Sequence, residues 1–191
     1  MAEPDRPEVS DEALVESARS GNARSFEQLL HRHESRVLRV LHLLGVPGQD
    51  REDVAQEVFL RVFRHLAGYR PGGSFGAWIY RVTVNSAHDF RLKQGRARRD
   101  EVPWTARAGE VADPSDGPEA AAGRAGDRVR LELALESLTE RERAVFVLKE
   151  LEGLDSRETA RILGVTTITV RRHLGLARHR LREALKGDGP R

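Results

Sequence analysis

The stretch SRETARILGVTTITVRRHL, residues 156–174, decides how the last third of the chain folds. Thr159, Ala160 and Leu163 recur at helical spacing and form the inner face of a short helix. Gly164 suits the left-handed conformation that ends such a helix, and Val165 is placed to pack under the turn. Thr166 is a good cap for a second helix, whose inward positions are Ile168 or Thr169, then Val170 and Leu174. The small side chain of Ala160 falls where the two helices cross, and a leucine there would hold them apart. Two helices joined by a tight glycine turn make a helix-turn-helix.

The second helix projects Thr167, Arg171, Arg172, Arg178 and Arg182 outward. Between Thr166 and Arg182 there are five arginines and two histidines and no acid. Such a face fits the major groove of duplex DNA, where arginine forks onto guanine and other side chains hold phosphates. An ordinary α-hairpin with a basic face would carry the arginines but has no need of Ala160 and Gly164. Upstream, Asp155 with Glu158 and Thr139 with Glu142 have the spacing of capping boxes, in which each side chain satisfies the other's backbone N–H. Val129, Leu131, Leu133, Leu135 and Leu138 supply apolar positions ahead of them.

Further towards the N-terminus lies a segment of different composition. Residues 100–127 hold seven acids against Arg107 and Arg124, with Pro103, Pro114 and Pro118 and no periodicity. Such a stretch buries too little surface to offset its ordering entropy, so it reads as a flexible linker. Before it, Ser10 to about Gly45 reads as two helices separated at Gly21-Asn22, and Val46-Pro47-Gly48 is a break. A third helix runs from about Arg51 to Leu66 with Val54, Val58, Val62 and Leu66 facing a core. After the Tyr69–Ser74 loop a fourth spans roughly Phe75 to Gln94. No segment alternates with a strand period, so the chain reads as all-α, with two small helical domains.

Composition narrows the function. Charged residues make up 32% of the 191-residue chain, and mean hydropathy is −0.54. No apolar run reaches the ~18 residues of a membrane span, and the polar N-terminus is no signal peptide. Cysteine is absent, which excludes disulfides and thiolate metal sites and fits a cytoplasmic protein. The seven histidines are scattered. His31 and His33 stand two apart, do not share a helix face, and read as surface residues. With no phosphate-binding glycine pattern, no metal set and no catalytic triad, an enzyme is not expected, and neither is a cofactor.

A net charge of +2 conceals segregated charge. Arg91, Lys93, Arg96, Arg98 and Arg99 form a second basic block, opposed only by Asp89. Two basic footprints suggest two contacts with a polyanion, although a pair of solvated faces would carry the same charge.

Four segments carry a family resemblance. LTERERAVF (138–146), Glu-Gly-Leu (152–154), Glu158-Thr159-Ala160 and Thr169-Val170-Arg171 through Ala177-Arg178 resemble region 4 of sigma factors. They are also similar to the helix-turn-helix of LuxR-type regulators. DVAQEVFLRVF (53–63) and FGAWIYRVTVN (75–85, onward to Arg91) resemble region 2 of the extracytoplasmic-function (ECF) sigma factors, which a plain regulator has no reason to carry. The resemblance implies a promoter-specificity subunit of bacterial RNA polymerase. It divides the chain into a tail (1–8), region 2 (9–99), the acidic linker (100–127), region 4 (128–186) and a second tail (187–191).

It also implies residue roles. Asp53, Gln56, Glu57 and Leu60 would grip the β′ clamp helices of core polymerase, with further contact to the β subunit. Arg81, Asn85, His88, Arg91 and Lys93 would hold the melted minus-ten element, Asn85 at a base edge and the cations on phosphates. Trp78 and Tyr80 are candidates for stacking, with Trp78 favoured as core. Thr166, Thr167, Thr169, Arg171, Arg172, His173 and Arg178 would contact the minus-thirty-five duplex. The linker acids would imitate nucleic acid in the RNA-exit channel, or serve only solubility. An anti-sigma partner is expected to mask one or both surfaces.

Overall fold

Local capping chemistry sets where the helices begin. The computed structural model describes residues 9–70, 74–97 and 130–186. Ser10 accepts a hydrogen bond from the Ala13 N–H at 3.2 Å and starts α1 (Asp11–Arg19). Gly21 takes a left-handed φ of 94°, and Asn22 then caps α2 (Ala23–Leu43). Pro47 leads into α3 (Gly48–His65), which begins three residues ahead of the expected start. Proline's fixed φ suits a helix entrance, so the break shrinks to the residues between Leu43 and Gly48. A 3₁₀ turn (Leu66–Gly68) follows, and Ser74 accepts from the Ala77 N–H at 3.2 Å at the head of α4 (Phe75–Ala97).

The second group comprises α5 (130–136), α6 (Glu140–Phe146), a π turn (Val147–Leu151), α7 (Ser156–Leu163) and α8 (Thr167–Lys186). Both expected capping boxes form, on Thr139 with Glu142 and on Asp155 with Glu158. Among the described residues there is no strand, and no helix is long and apolar enough to cross a membrane. The expected linker, 100–127, lies outside the described residues.

Burial follows the apolar periodicity. Val54, Val58, Val62 and Leu66 all face the first core, where they meet Leu29, Val40 and Leu41 of α2 and Phe75 and Ile79 of α4. Each fully buried aliphatic side chain contributes about 1.5–3 kcal/mol relative to exposure. Two smaller clusters organise the second group: Leu135, Leu138, Ala177 and Leu181, and Val145, Ala160, Val170 and Leu174. Ala144, Val147, Leu148 and Ile162 join the core of the first group instead, so the two helical heads are packed together.

Glu142 ties α6 to α8. Its Oε2 accepts from the Thr139 N–H at 3.0 Å and from Arg180 Nη1 at 2.8 Å, with the residue only 3% exposed. Replacing it with alanine removes a capping acceptor and a charge partner together. Glu142→Ala is expected to destabilise the second head by about 1–3 kcal/mol, read as a lower urea midpoint with an unchanged slope.

Candidate nucleic-acid and protein interfaces

The helix-turn-helix assembles as its sequence implies. Asp155 Oδ1 accepts from the N–H groups of Arg157 (2.6 Å) and Glu158 (2.8 Å), which holds its carboxyl below the usual range. Gly164 ends α7 at φ 64°, ψ 34°. Thr166 Oγ1 accepts from the Thr169 N–H at 3.1 Å and lies 2.9 Å from Thr169 Oγ1. Thr159 is fully buried, yet its hydroxyl donates to the Asp155 carbonyl at 2.8 Å, so no polar atom is stranded there.

Of the two candidates for the first inward position, Ile168 is 74% exposed and Thr169 is half-buried, so Thr169 takes it, ahead of Val170 and Leu174. Arg171 and Arg172 are exposed, whereas Thr167 and Thr169 are half-buried. Arg178 is exposed but lies 2.8 Å from Glu150. His173 is half-buried and lines a cavity shared with Asn85 and His88, and its Nδ1 is buried without a hydrogen-bond partner.

On α4, Arg81, Asn85 and His88 are exposed at i, i+4 and i+7 and share one face. Lys93 is exposed and Arg91 half-buried. A carboxylate of the second head occupies this face: Glu140 Oε1 lies 2.7 Å from His88 Nδ1 and 3.9 Å from Arg91 Nη1. Burial lowers the Arg91 pKa, while Glu140 opposes the change. Arg143 is pulled down to about 10, by burial first and then by the positive charge of Arg91.

A cavity of about 260 Å³ adjoins this face, lined by Tyr69, Arg70, Trp78 and Arg81 and closed by Glu158 and Arg161 of α7. Trp78 is half-buried, 5.1 Å from Tyr69 and 5.6 Å from Phe75 between ring centroids. It therefore belongs to the aromatic cluster and also walls the cavity. Tyr80 is unavailable for stacking, contrary to expectation. It is 4% exposed, and its hydroxyl donates to Glu152. Burial, followed by the Glu152 carboxylate, raises its pKa well above the ordinary phenol value.

Glu152 is the centre of the contact between heads. Its side chain is 1% exposed, with Arg39 Nη2 at 2.6 Å from one oxygen and Arg36 Nε at 3.8 Å from the other. Nearby, Arg143 Nε donates to the Leu43 carbonyl at 2.5 Å, and His42 Nε2 lies 2.7 Å from Glu132 Oε1. Gly45 sits here at a left-handed φ of 84°, which favours glycine, with the Arg143 guanidinium packed against its Cα.

The α3 surface matches expectation at Asp53, Gln56 and Leu60, all exposed. Glu57 is half-buried and accepts from Arg61 Nε at 2.8 Å, which lowers its pKa, while Arg61 also reaches Asp89 at 2.7 Å. Sequence reasoning missed Phe63. It is 62% exposed beside Leu60 (48%), and its position off the Val54–Val58–Val62 stripe was the available signal. His33 also departs from expectation. It is buried, not at the surface, with Nε2 2.7 Å from Asp11 Oδ2 and its ring edge-on to Phe75. Burial works against the charged form of Asp11, yet hydrogen bonds from His33 and Arg32 hold its carboxyl below the usual range. No cluster able to hold a metal occurs among the described residues.

Comparison with known proteins agrees with this architecture. The family model for Sigma-70 region 2 matches residues 29–97, and that for Sigma-70, region 4 matches 128–181. The RNA polymerase sigma factor CnrH of Cupriavidus metallidurans is 31% identical over 186 residues, covering 95% of this chain and 97% of CnrH. The ECF RNA polymerase sigma-E factor of Escherichia coli K12 is 30% identical over 177 residues, covering 90% and 92%. The ECF sigma factor SigE of Mycolicibacterium smegmatis is 35% identical over 161 residues, 84% of this chain but 62% of SigE. Among solved structures, CnrH in complex with the cytosolic domain of CnrY matches with a TM-score of 0.71 at 28% identity, covering 94% and 99% of the two chains. The sigma factor RpoE of Bartonella quintana, solved with the anti-sigma factor NepR, shares the fold at 22% identity and a TM-score of 0.71, covering 86% and 99%.

A region 2 followed by a region 4 defines a sigma factor of the sigma-70 class. Within that class the chain belongs to the ECF RNA polymerase sigma factors, and the LuxR-type alternative is set aside.

Introducing a third cation beside Arg36 and Arg39 should loosen the heads. Glu152→Lys is expected to increase the radius of gyration in small-angle scattering and to lower energy transfer between dyes placed on Glu27 and Arg182. An unchanged radius would mean that the apolar contacts of Leu148 and Ile162 hold the heads without the ion cluster.

Proposed function

We propose that this sigma factor engages a promoter at two places and leaves the chemistry of RNA synthesis to the polymerase. The observation that carries this reading is the pairing of two surfaces in one chain. One is the exposed arginine face of α8, with no acid in the sequence between Thr166 and Arg182, suited to duplex DNA. The other is the α4 face of Arg81, Asn85 and His88 beside a cavity walled by Trp78, suited to an unstacked base and its phosphates.

In this reading Asp53, Gln56, Glu57 and Leu60, extended by Phe63, dock on the β′ clamp helices. Arg61 supports the role by fixing the orientation of Glu57. Asn85 presents a donor and an acceptor to a base of the minus-ten element, with Arg81, His88, Arg91 and Lys93 along the backbone. Arg171, Arg172 and Arg178 bind the minus-thirty-five duplex, with Thr166, Thr167 and Thr169 at the helix entrance. His173 lines the cavity between the heads together with Asn85 and His88, and joins that set once the heads part. The heads must part before DNA binds, because Glu140 occupies the place a phosphate would take between His88 and Arg91. Residues 100–127 act as the acidic tether. Control by an anti-sigma partner, in the cytoplasm where polymerase works, completes the reading; what supports a protein partner is that the relative CnrH was solved in complex with the cytosolic domain of CnrY.

Run-off transcription with purified core polymerase tests the proposal, since a sigma factor confers initiation on core enzyme alone. Asn85→Ala is expected to slow open-complex formation about tenfold, the loss of one bidentate base contact, while binding to upstream duplex is retained. Leu60→Asp should lower affinity for core polymerase without changing the thermal midpoint of the free chain, because Leu60 is exposed. Initiation that required a resident sigma factor would defeat the reading.

A further inference from the structure

We propose that Ile168 reads the methyl group of a thymine in the upstream promoter duplex, and that Gly175 lets α8 sit deep enough in the groove for it to do so. The inference rests on the reading that α8 enters the major groove. Ile168 is 74% exposed, more than any other large hydrophobic residue among those described. A β-branched side chain gains nothing from such a place in a helix, and Val170 and Leu174 already fill the inner positions.

Its neighbours on the same face say what would cover it. Arg171 and Arg172 lie three and four residues on, both exposed, and no acid occurs between Thr166 and Arg182. A cationic rim around one apolar group fits a polyanion better than an apolar protein groove. Within the major groove of DNA the C5-methyl of thymine is the apolar feature of the base edges. Residues near the start of a recognition helix are the ones that meet those edges.

Gly175 is an independent second observation. It stands seven residues after Ile168, on the same face, in the middle of a 20-residue helix. Its φ is not left-handed, and an added Cβ would find no heavy atom within 4 Å. Nothing inside the protein therefore requires glycine, although alanine would favour the helix. The space it leaves is on the outside, where a sugar–phosphate backbone or a groove wall would approach.

The test uses holoenzyme reconstituted from the full chain and core polymerase, on a promoter obtained by in vitro selection. Each thymine of the upstream element, on either strand, is replaced singly by deoxyuridine, which removes only the methyl group. One replacement should weaken wild-type binding about three- to tenfold. Holoenzyme carrying Ile168→Ala should be indifferent to that same replacement. Gly175→Ala should raise the thermal midpoint of the free chain yet weaken binding to the upstream element. Wild-type tolerance of every replacement, an upstream element with no A·T pair, or an undiminished penalty in Ile168→Ala would overturn the role of Ile168. Unweakened binding by Gly175→Ala would overturn that of the glycine. Failure of core enzyme to initiate at all would instead refute the proposed function, so the two failures are distinct.

Discussion

A carboxylate with almost no exposed surface has to be met by positive charge or by a hydroxyl, and Glu152 draws all of its partners from the other head. Arg39 and Arg36 come from α2 and Tyr80 from α4, while Glu152 itself follows the π turn of the second head. The desolvation is one-sided, because the two arginines remain about half exposed. Such a cluster adds little net stability against an apolar substitute, but losing one partner leaves a buried charge with a cost of about 3–5 kcal/mol. Its physical effect is therefore to select one docking geometry over others. The apolar contacts of Leu148 and Ile162 are not directional and would permit several.

That geometry sets the electrostatics of the binding faces. With Glu152 seated, α7 packs on α4, and Glu140 at the start of α6 falls between His88 and Arg91. Arg91 and Arg143 both lie in a half-buried space, where burial disfavours the charge of each and Arg91 adds to the effect on Arg143. In the proposed reading, closure and nucleic-acid binding compete for His88 and Arg91, so salt and polyanion concentration act on both. The α8 arginine face and the Leu60–Phe63 patch of α3 stay exposed throughout.

What the sequence revealed was local. A threonine three residues before a glutamate fixes a helix start through atoms within one turn, and both boxes form as read. Gly164 and the Val54–Val58–Val62 stripe were legible for the same reason. At the first turn of α8 a single apolar residue did not fix the phase of the stripe, so Ile168 and Thr169 stayed open until their exposures separated them, 74% for Ile168 against a half-buried Thr169. His33 gave no signal because its partner, Asp11, lies on another helix. The contact between Leu43 and Arg143 spans 100 residues, and no pattern within either segment encodes it. Tyr80 was misread for that reason, since its hydroxyl partner sits 72 residues away.

The widened turn at Val147–Leu151 has a consequence of its own. The Glu152 N–H reaches back five residues to the Val147 carbonyl, at 2.9 Å, where an ordinary helix would reach back four. That surplus residue is a phase shift. Shortening the segment by one would restore the tighter winding and swing position 152 by about 100°, carrying the acid away from its three partners. A single codon at this spot would then govern how firmly the two halves clasp, with neither promoter-facing helix altered.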